Sequence, residues 1–376
     1  MIMRLMKLDY GRDETTMKKL FTLLLVCLLA LALFGCANEP ATNQDNDQTE
    51  QQNTEQTTLG EWENYQPTTG ATEYPLTLNT YFWLGREVTQ TYEQAPERVI
   101  TCGGTIADLM VYFGLEDRII GISRTDDPSE LPEECQETRN SLPVLAELWP
   151  SKEVVVDAEA DLTASAYGGL FYDDDLGTIE EINGRGTTIF NLTNMSCFEA
   201  GRSVTIDDYF TSLENFGKIF DIQDAMGEFL VQQRDSLLEI KEKAAAATDT
   251  PSVMVLTQWE YHIENDLYCN YSGEAIINDL IRLAGGDPVM IADTESNQVS
   301  KEAIVAADPD IIILRIEGDP EDAVENFKSL PEFQSMSAVQ NDKVIMISMD
   351  YRLDNYGYDI ASGANVVYEA LDSVRD

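Results

Sequence analysis

The feature that most constrains this chain is a repeat. Ser151-Lys152-Glu153-Val154-Val155-Val156-Asp157-Ala158-Glu159-Ala160-Asp161 aligns without gaps on Ser300-Lys301-Glu302-Ala303-Ile304-Val305-Ala306-Ala307-Asp308-Pro309-Asp310, and six of the eleven positions are identical. Each copy leads into an apolar run, Leu162-Thr163-Ala164 in one case and Ile311-Ile312-Ile313-Leu314 in the other. A supersecondary unit that recurs in matched context points to two similar lobes rather than one large sheet.

The lobes read as α/β. Residues 74–98 form a hairpin, PLTLNTYF and REVTQTY about a turn at Gly85. β-branched runs and amphipathic stretches then alternate. Val99-Ile100-Thr101 is followed by a helix from Ile106 to Phe113 that ends at Gly114, and Ile119-Ile120-Gly121-Ile122 is the next strand. Strands interleaved with helices imply βαβ units and mainly parallel sheets. The alternation stops at a helical block: Ile206–Ile219, then a second helix that Asp221 can cap, running to about Ala247. At 1.5 Å per residue this second helix is roughly 39 Å long, enough to cross between domains. After Pro251 the alternation resumes with runs at Val253, Ile311 and Val344, a helix over residues 275–284, and a last helix over residues 361–374. The fold class is therefore α/β, two Rossmann-like lobes with mainly parallel sheets bridged by one long α-helix. The boundaries expected are 1–35, 36–72, 73–205, 206–248 and 249–376.

Charge excludes a nucleic-acid partner. Lys and Arg number 24 against 68 Asp and Glu, a net −44, and phosphate recognition needs a basic footprint. A single histidine, His262, leaves no route to a His-rich metal site or a two-imidazole relay. No G-x-S-x-G, phosphate loop or C-x-x-C occurs.

Leu20–Phe34 is apolar apart from Thr22 and follows Lys18-Lys19; at 15 residues it falls short of a membrane span and fits a secretory signal starting at Met17 or Met1. Its end, Leu33-Phe34-Gly35-Cys36, resembles the lipobox of bacterial lipoproteins, although Phe34 stands where a small residue is usual; the resemblance makes Cys36 the acylated first mature residue. Residues 37–72, rich in Asn, Gln, Thr and acids, read as a flexible tether. Removal of residues 1–35 takes five basic and three acidic residues and leaves 19 and 65, a net −46. So acidic a chain does not adhere to anionic lipid, and a lipid must hold it at the outer face of the cytoplasmic membrane. Cys102, Cys135, Cys197 and Cys269 remain, and spacing does not choose between disulfides and buried thiols.

Ala95-Pro-Glu-Arg-Val-Ile-Thr101, Gly114-Leu-Glu-Asp-Arg-Ile-Ile-Gly-Ile-Ser123, Val299-Ser-Lys-Glu-Ala-Ile-Val-Ala-Ala-Asp-Pro-Asp-Ile-Ile-Ile313 and Ala338-Val-Gln-Asn-Asp-Lys-Val-Ile-Met-Ile347 stand in this order. Together they resemble the iron-siderophore, haem and cobalamin substrate-binding proteins of ABC importers. The resemblance implies two lobes on a single long helix, a ligand held between them, delivery to a permease and no reaction. It also implies that an exposed acid on each lobe meets permease arginines, here Glu153 and Glu302. Both equally suit the first turn of a helix capped by Ser151 or Ser300, and are expected away from the strand ends that form the cleft.

The ligand should lie at the carboxyl ends of the strands. Candidates there are Gly103, Gly104 and Thr105 after the first strand, Arg124 after the second, and Tyr167 and Tyr172 after the third. The second lobe offers Trp259 and Tyr261 after the Val253 run, Arg315 after the Ile311 run, and Tyr351 and Arg352 after the last. Aromatics with a few arginines suit a flat, partly anionic ligand. Ferric siderophore, haem (with His262 or a tyrosine as axial ligand) and corrinoid stay open. The protein itself needs no cofactor and no metal site; iron or cobalt would arrive with the ligand. A monomer is expected. The alternative is a two-lobed extracytoplasmic enzyme or metalloprotein with its site between the lobes.

Overall fold

The computed structural model describes residues 60–82, 86–123, 131–167, 170–171, 176–192, 204–258, 260–270, 276–291, 297–316, 320–349, 353 and 359–375. The chain divides into two compact units, residues 1–56 and 57–376, and every described residue belongs to the second. The signal segment, Cys36, Gly85 and Cys197 lie outside the described residues.

The hairpin forms as read: β1 (Leu76–Phe82) pairs antiparallel with β2 (Arg86–Tyr92), Phe82 opposite Arg86. Its inward positions Thr80, Phe82, Gln90 and Tyr92 are buried. Then follow β3 (Val99–Cys102), α1 (Gly104–Tyr112), β4 (Ile119–Ser123), α2 (Glu133–Asn140), β5 (Val144–Ala146), α3 (Lys152–Asp157), β6 (Leu162–Ser165), α4 (Ile179–Asn183) and β7 (Thr188–Asn191). The five strands from β3 to β7 are all parallel, in the order β5-β4-β3-β6-β7. β3 and β6 are buried along their whole length, as strands covered by helices on both faces must be.

Two helices follow, α5 (Ile206–Phe220) and α6 (Gln223–Ala244). A capping box starts α5: the Asp208 amide donates to Thr205 Oγ1 at 3.2 Å, and the Thr205 amide donates to Asp208 Oδ2 at 3.1 Å. Asp221, expected to cap the second helix, instead ends the first. It sits at φ 58° in the left-handed region, and α6 begins after Ile222 without a side-chain cap. At 22 residues α6 is shorter than read, and the Ala-rich end stops at Ala244. It still bridges the lobes, packing both on α5 and on the last helix of the chain.

The second lobe contains β8 (Ser252–Gln258), α7 (Glu260–Glu264), β9 (Tyr268–Cys269), α8 (Ile276–Leu283), β10 (Asp287–Pro288), β11 (Gln298–Val299), α9 (Lys301–Ala307), β12 (Ile311–Ile316), α10 (Pro320–Ser329), α11 (Ser337–Gln340), β13 (Val344–Met346) and α12 (Ile360–Asp372). Its sheet runs β11-β9-β8-β12-β13, with β10 also on β8. β9 is antiparallel to both neighbours, so this sheet is mixed. One apolar core passes from α1 through α5 and α6 into α8 and α12, so the lobes share an interior.

The repeated aspartates have a structural role. Asp161 accepts from the amides of Glu97 (2.8 Å) and Arg98 (3.0 Å), and Asp310 accepts from the amide and hydroxyl of Ser252 at 2.8 and 2.7 Å. Each copy thus pins the entry of its lobe's central strand.

Residues 60–72, read as part of the tether, are seated along α5 and α6. Trp62 is 4% exposed, and its amide donates to Asp207 Oδ1 at 2.5 Å. The polar average of the segment concealed two aromatic anchors, Trp62 and Tyr65, both packed on Phe210.

Candidate ligand cleft and docking face

The carboxyl ends of the parallel strands bring together part of the expected set. Gly103 follows β3 at φ 103°, a conformation open to glycine, and its amide donates to Ser123 O at 3.1 Å. Among the described residues, its chain neighbours aside, no atom lies within 4 Å of where a Cβ would stand, which leaves the backbone open to close approach. Gly104 and Thr105 turn inward and are buried as the first residues of α1.

After β6, Ser165 Oγ donates to Cys102 O at 2.9 Å and accepts from the Tyr167 amide at 2.8 Å, which fixes the turn. The Tyr167 ring stacks on Trp149, centroids 5.7 Å apart and planes 13° from parallel. Trp149 follows β5, and beside it in sequence Leu148 is 70% exposed. An aromatic pair with apolar surface therefore stands at the rim of the first lobe. Trp149 was not among the sequence candidates, because β5 is too short to be read as a strand; an aromatic residue two positions before a repeat copy was the available signal.

In the second lobe Arg315 reaches the carboxyl end of β12 but is only 1% exposed, and its Nη1 donates to Ser348 O at 3.1 Å. It is a fixed cation beneath the surface, tying β12 to the segment after β13. His262 on α7 lies 3.2 Å from Cys269 Sγ through Nε2, and burial lowers its pKa, so the imidazole is neutral. Burial pushes the Cys102 thiol up to about 12. Cys102, Cys135 and Cys269 are free thiols. Tyr261 belongs to α7, whereas Arg124, Tyr172, Trp259, Tyr351 and Arg352 lie outside the described residues. Among the described residues no group of three or more His, Cys, Asp or Glu side chains is placed to hold a metal. A cavity of about 610 Å³ between the lobes runs along α6 past Tyr112, Phe229, Lys243 and Asp359, away from the expected ligand residues.

The two Ser-Lys-Glu motifs fold alike. Ser151 Oγ accepts from the Val154 amide at 3.4 Å, and Ser300 Oγ from the Ala303 amide at 3.2 Å. Lys152 pairs with Glu181, and Lys301 with Asp266 at 2.7 Å. Glu153 and Glu302 stay exposed and make no ion pair among the described residues; bonding to their own helix-start amides, then to the capping serines, lowers their pKa. One expectation is corrected. α3 follows the carboxyl end of β5, and α9 follows that of β11, so both glutamates stand on the strand-end side, not away from it. A helix that returns a chain between parallel strands must start where the preceding strand ends.

No helix among the described residues is long and apolar enough to cross a membrane. The periplasmic binding protein family matches residues 99–351. A cobalamin-binding protein of Halobacterium salinarum is 27% identical over 241 residues, 62% of this chain and 58% of that protein, so the chain spans less than two thirds of this relative. Among solved structures, a periplasmic binding protein from Veillonella parvula aligns with TM-score 0.66 at 18% identity, covering 80% of this chain and 99% of that one. An ABC-type Fe3+-hydroxamate transport protein from Saccharomonospora viridis aligns with TM-score 0.63 at 21% identity and the same coverage.

Proposed function

The chain belongs to the periplasmic binding protein family, and on that premise we propose that it is the extracytoplasmic substrate-binding component of an ABC importer. In this reading it captures a corrinoid, haem or ferric siderophore between its lobes and delivers it to the permease. The observation that carries the reading is the placement of Glu153 and Glu302 in matching frames on the strand-end side of both lobes, the side that also holds the Trp149–Tyr167 stack. A transporter with paired subunits needs matched contacts, and a passing ligand must face the pore.

Among the three ligands, a corrinoid is favoured. It carries little net charge and escapes the repulsion that a chain of −44 imposes on an anionic ferric siderophore, and the Halobacterium salinarum relative is named for cobalamin. The stacked rings offer a flat apolar face, and Gly103 gives room for close approach. A non-catalytic role is supported by membership of a family of binding proteins; the buried Cys102 thiol beside Gly103, pushed up to about 12, is no nucleophile near neutral pH. Iron or cobalt enters only as cargo. The lipid on Cys36 holds the protein, a monomer, at the outer face of the membrane.

The test is titration of residues 37–376 with cyanocobalamin, haemin and a ferric hydroxamate, followed by tryptophan fluorescence and melting temperature. Saturable quenching by cyanocobalamin is expected. A ligand at a hundredfold excess over Kd adds about 2.7 kcal/mol of stability, so silence from all three compounds would refute the ligand class.

A further inference from the structure

Residues 60–75 lie in the groove between α5 and α6, parallel to α5 and antiparallel to α6. The order of their contacts shows this. The amides of Glu61 and Trp62 donate to Asp207 at 3.2 and 2.5 Å, Thr68 bonds Glu214, Thr72 Oγ1 donates to Lys218 O at 2.7 Å, and Tyr74 Oη donates to Ile219 O at 2.7 Å. Along α6 the same segment goes backwards. Glu63 pairs with Lys241 at 2.9 Å, Tyr65 O accepts from Arg234 at 2.7 Å, the Gly70 amide donates to Asp224 (2.9 Å), and the Thr72 amide donates to Asp221 (2.6 Å) at the turn just before α6.

Gly227 fits this seat. A Cβ there would stand 2.6 Å from Pro67 Cβ, so the helix carries glycine where the segment crosses it. Glycine inside a helix is unfavourable relative to alanine, and this contact accounts for it. Along α6 the segment reaches Lys241, beyond Gln233, whose Oε1 accepts from the Ala361 amide of the last helix at 2.8 Å, and Leu237, which is buried in the shared core. It therefore spans the joint between the lobes.

We propose that residues 60–75 are a splint on the interlobe helix: a second, non-covalent span that stiffens α6 where it passes from one lobe to the other, and so couples the amino-terminal segment to the freedom of the lobes. The splint depends on the apolar anchor Trp62 and on the gap at Gly227. It makes no use of the ligand cleft.

Hydrogen exchange of the full chain tests this through Gly227→Ala and Trp62→Ala. Alanine is the better helix former, so without a splint Gly227→Ala would protect α6. With the splint, Pro67 loses its seat, and amides of residues 233–244 should exchange about tenfold faster in both variants, with β3 and β12 unchanged. Unchanged or slower exchange of residues 233–244 in either variant overturns the proposal. So does equal acceleration in β3 and β12, because that pattern is global loss of stability.

Discussion

The Trp149 ring lies against that of Tyr167, whose backbone amide is held by the Ser165 hydroxyl. Trp149→Ala should weaken ligand binding roughly three- to tenfold, the scale of an aromatic pair at about 0.5–1.5 kcal/mol. A titration checks this, and the melting temperature should move little because the ring is half-buried at the rim. Asp310 gives a prediction that depends on pH. Hydrogen bonds from the Ser252 hydroxyl and amide hold its pKa below the usual carboxylate range. A depressed folded pKa gives stability that is full above the ordinary value and lost as pH falls through the depressed one. Asp310→Asn should cost about 1 kcal/mol at neutral pH, allowing for solvent screening, and the gap to the unmodified protein should close on acidification. Melting temperatures from pH 7 down to pH 3 decide it; a gap that does not change with pH refutes the linkage.

Local chemistry governs how much of each element the sequence discloses. The hairpin, β3, α1, β4, α8 and α12 are legible because their periodicity and end signals agree, as with Gly114, at φ 68° after α1. β5 and β9 are not, since three and two residues carry no period. The direction of β9 is a tertiary fact: it pairs with Thr257 and Gln298 across the sheet. Asp221 misled because an aspartate suits either end of a helix, and only the backbone shows which. Glu153 and Glu302 come from the family resemblance and the repeat matches their frames, whereas the side they occupy needed the strand pairing. Leu237 tests α6 as a bridge. It is fully buried in the core shared by both lobes, and Leu237→Ala should cost about 2–5 kcal/mol in a single denaturant transition. Two separated transitions would mean that the lobes unfold independently.

At the scale of the whole molecule, two lobes that share a core present a nearly fixed pair of carboxylates. Glu153→Arg with Glu302→Arg should abolish uptake while leaving ligand affinity within about twofold, because each side chain is exposed and solvated at its helix start. Lost affinity with intact uptake would move these residues into the ligand site. The seated segment 60–75 also sets a load path. Because it enters at Trp62 and follows α5 from Asp207 to Ile219, a pull on the amino-terminal end is borne first by one indole and one carboxylate. The bonds behind them are loaded in turn, and the lobes last. A chain drawn taut by whatever holds its beginning would peel turn by turn from the helix pair before the ligand cleft felt any tension.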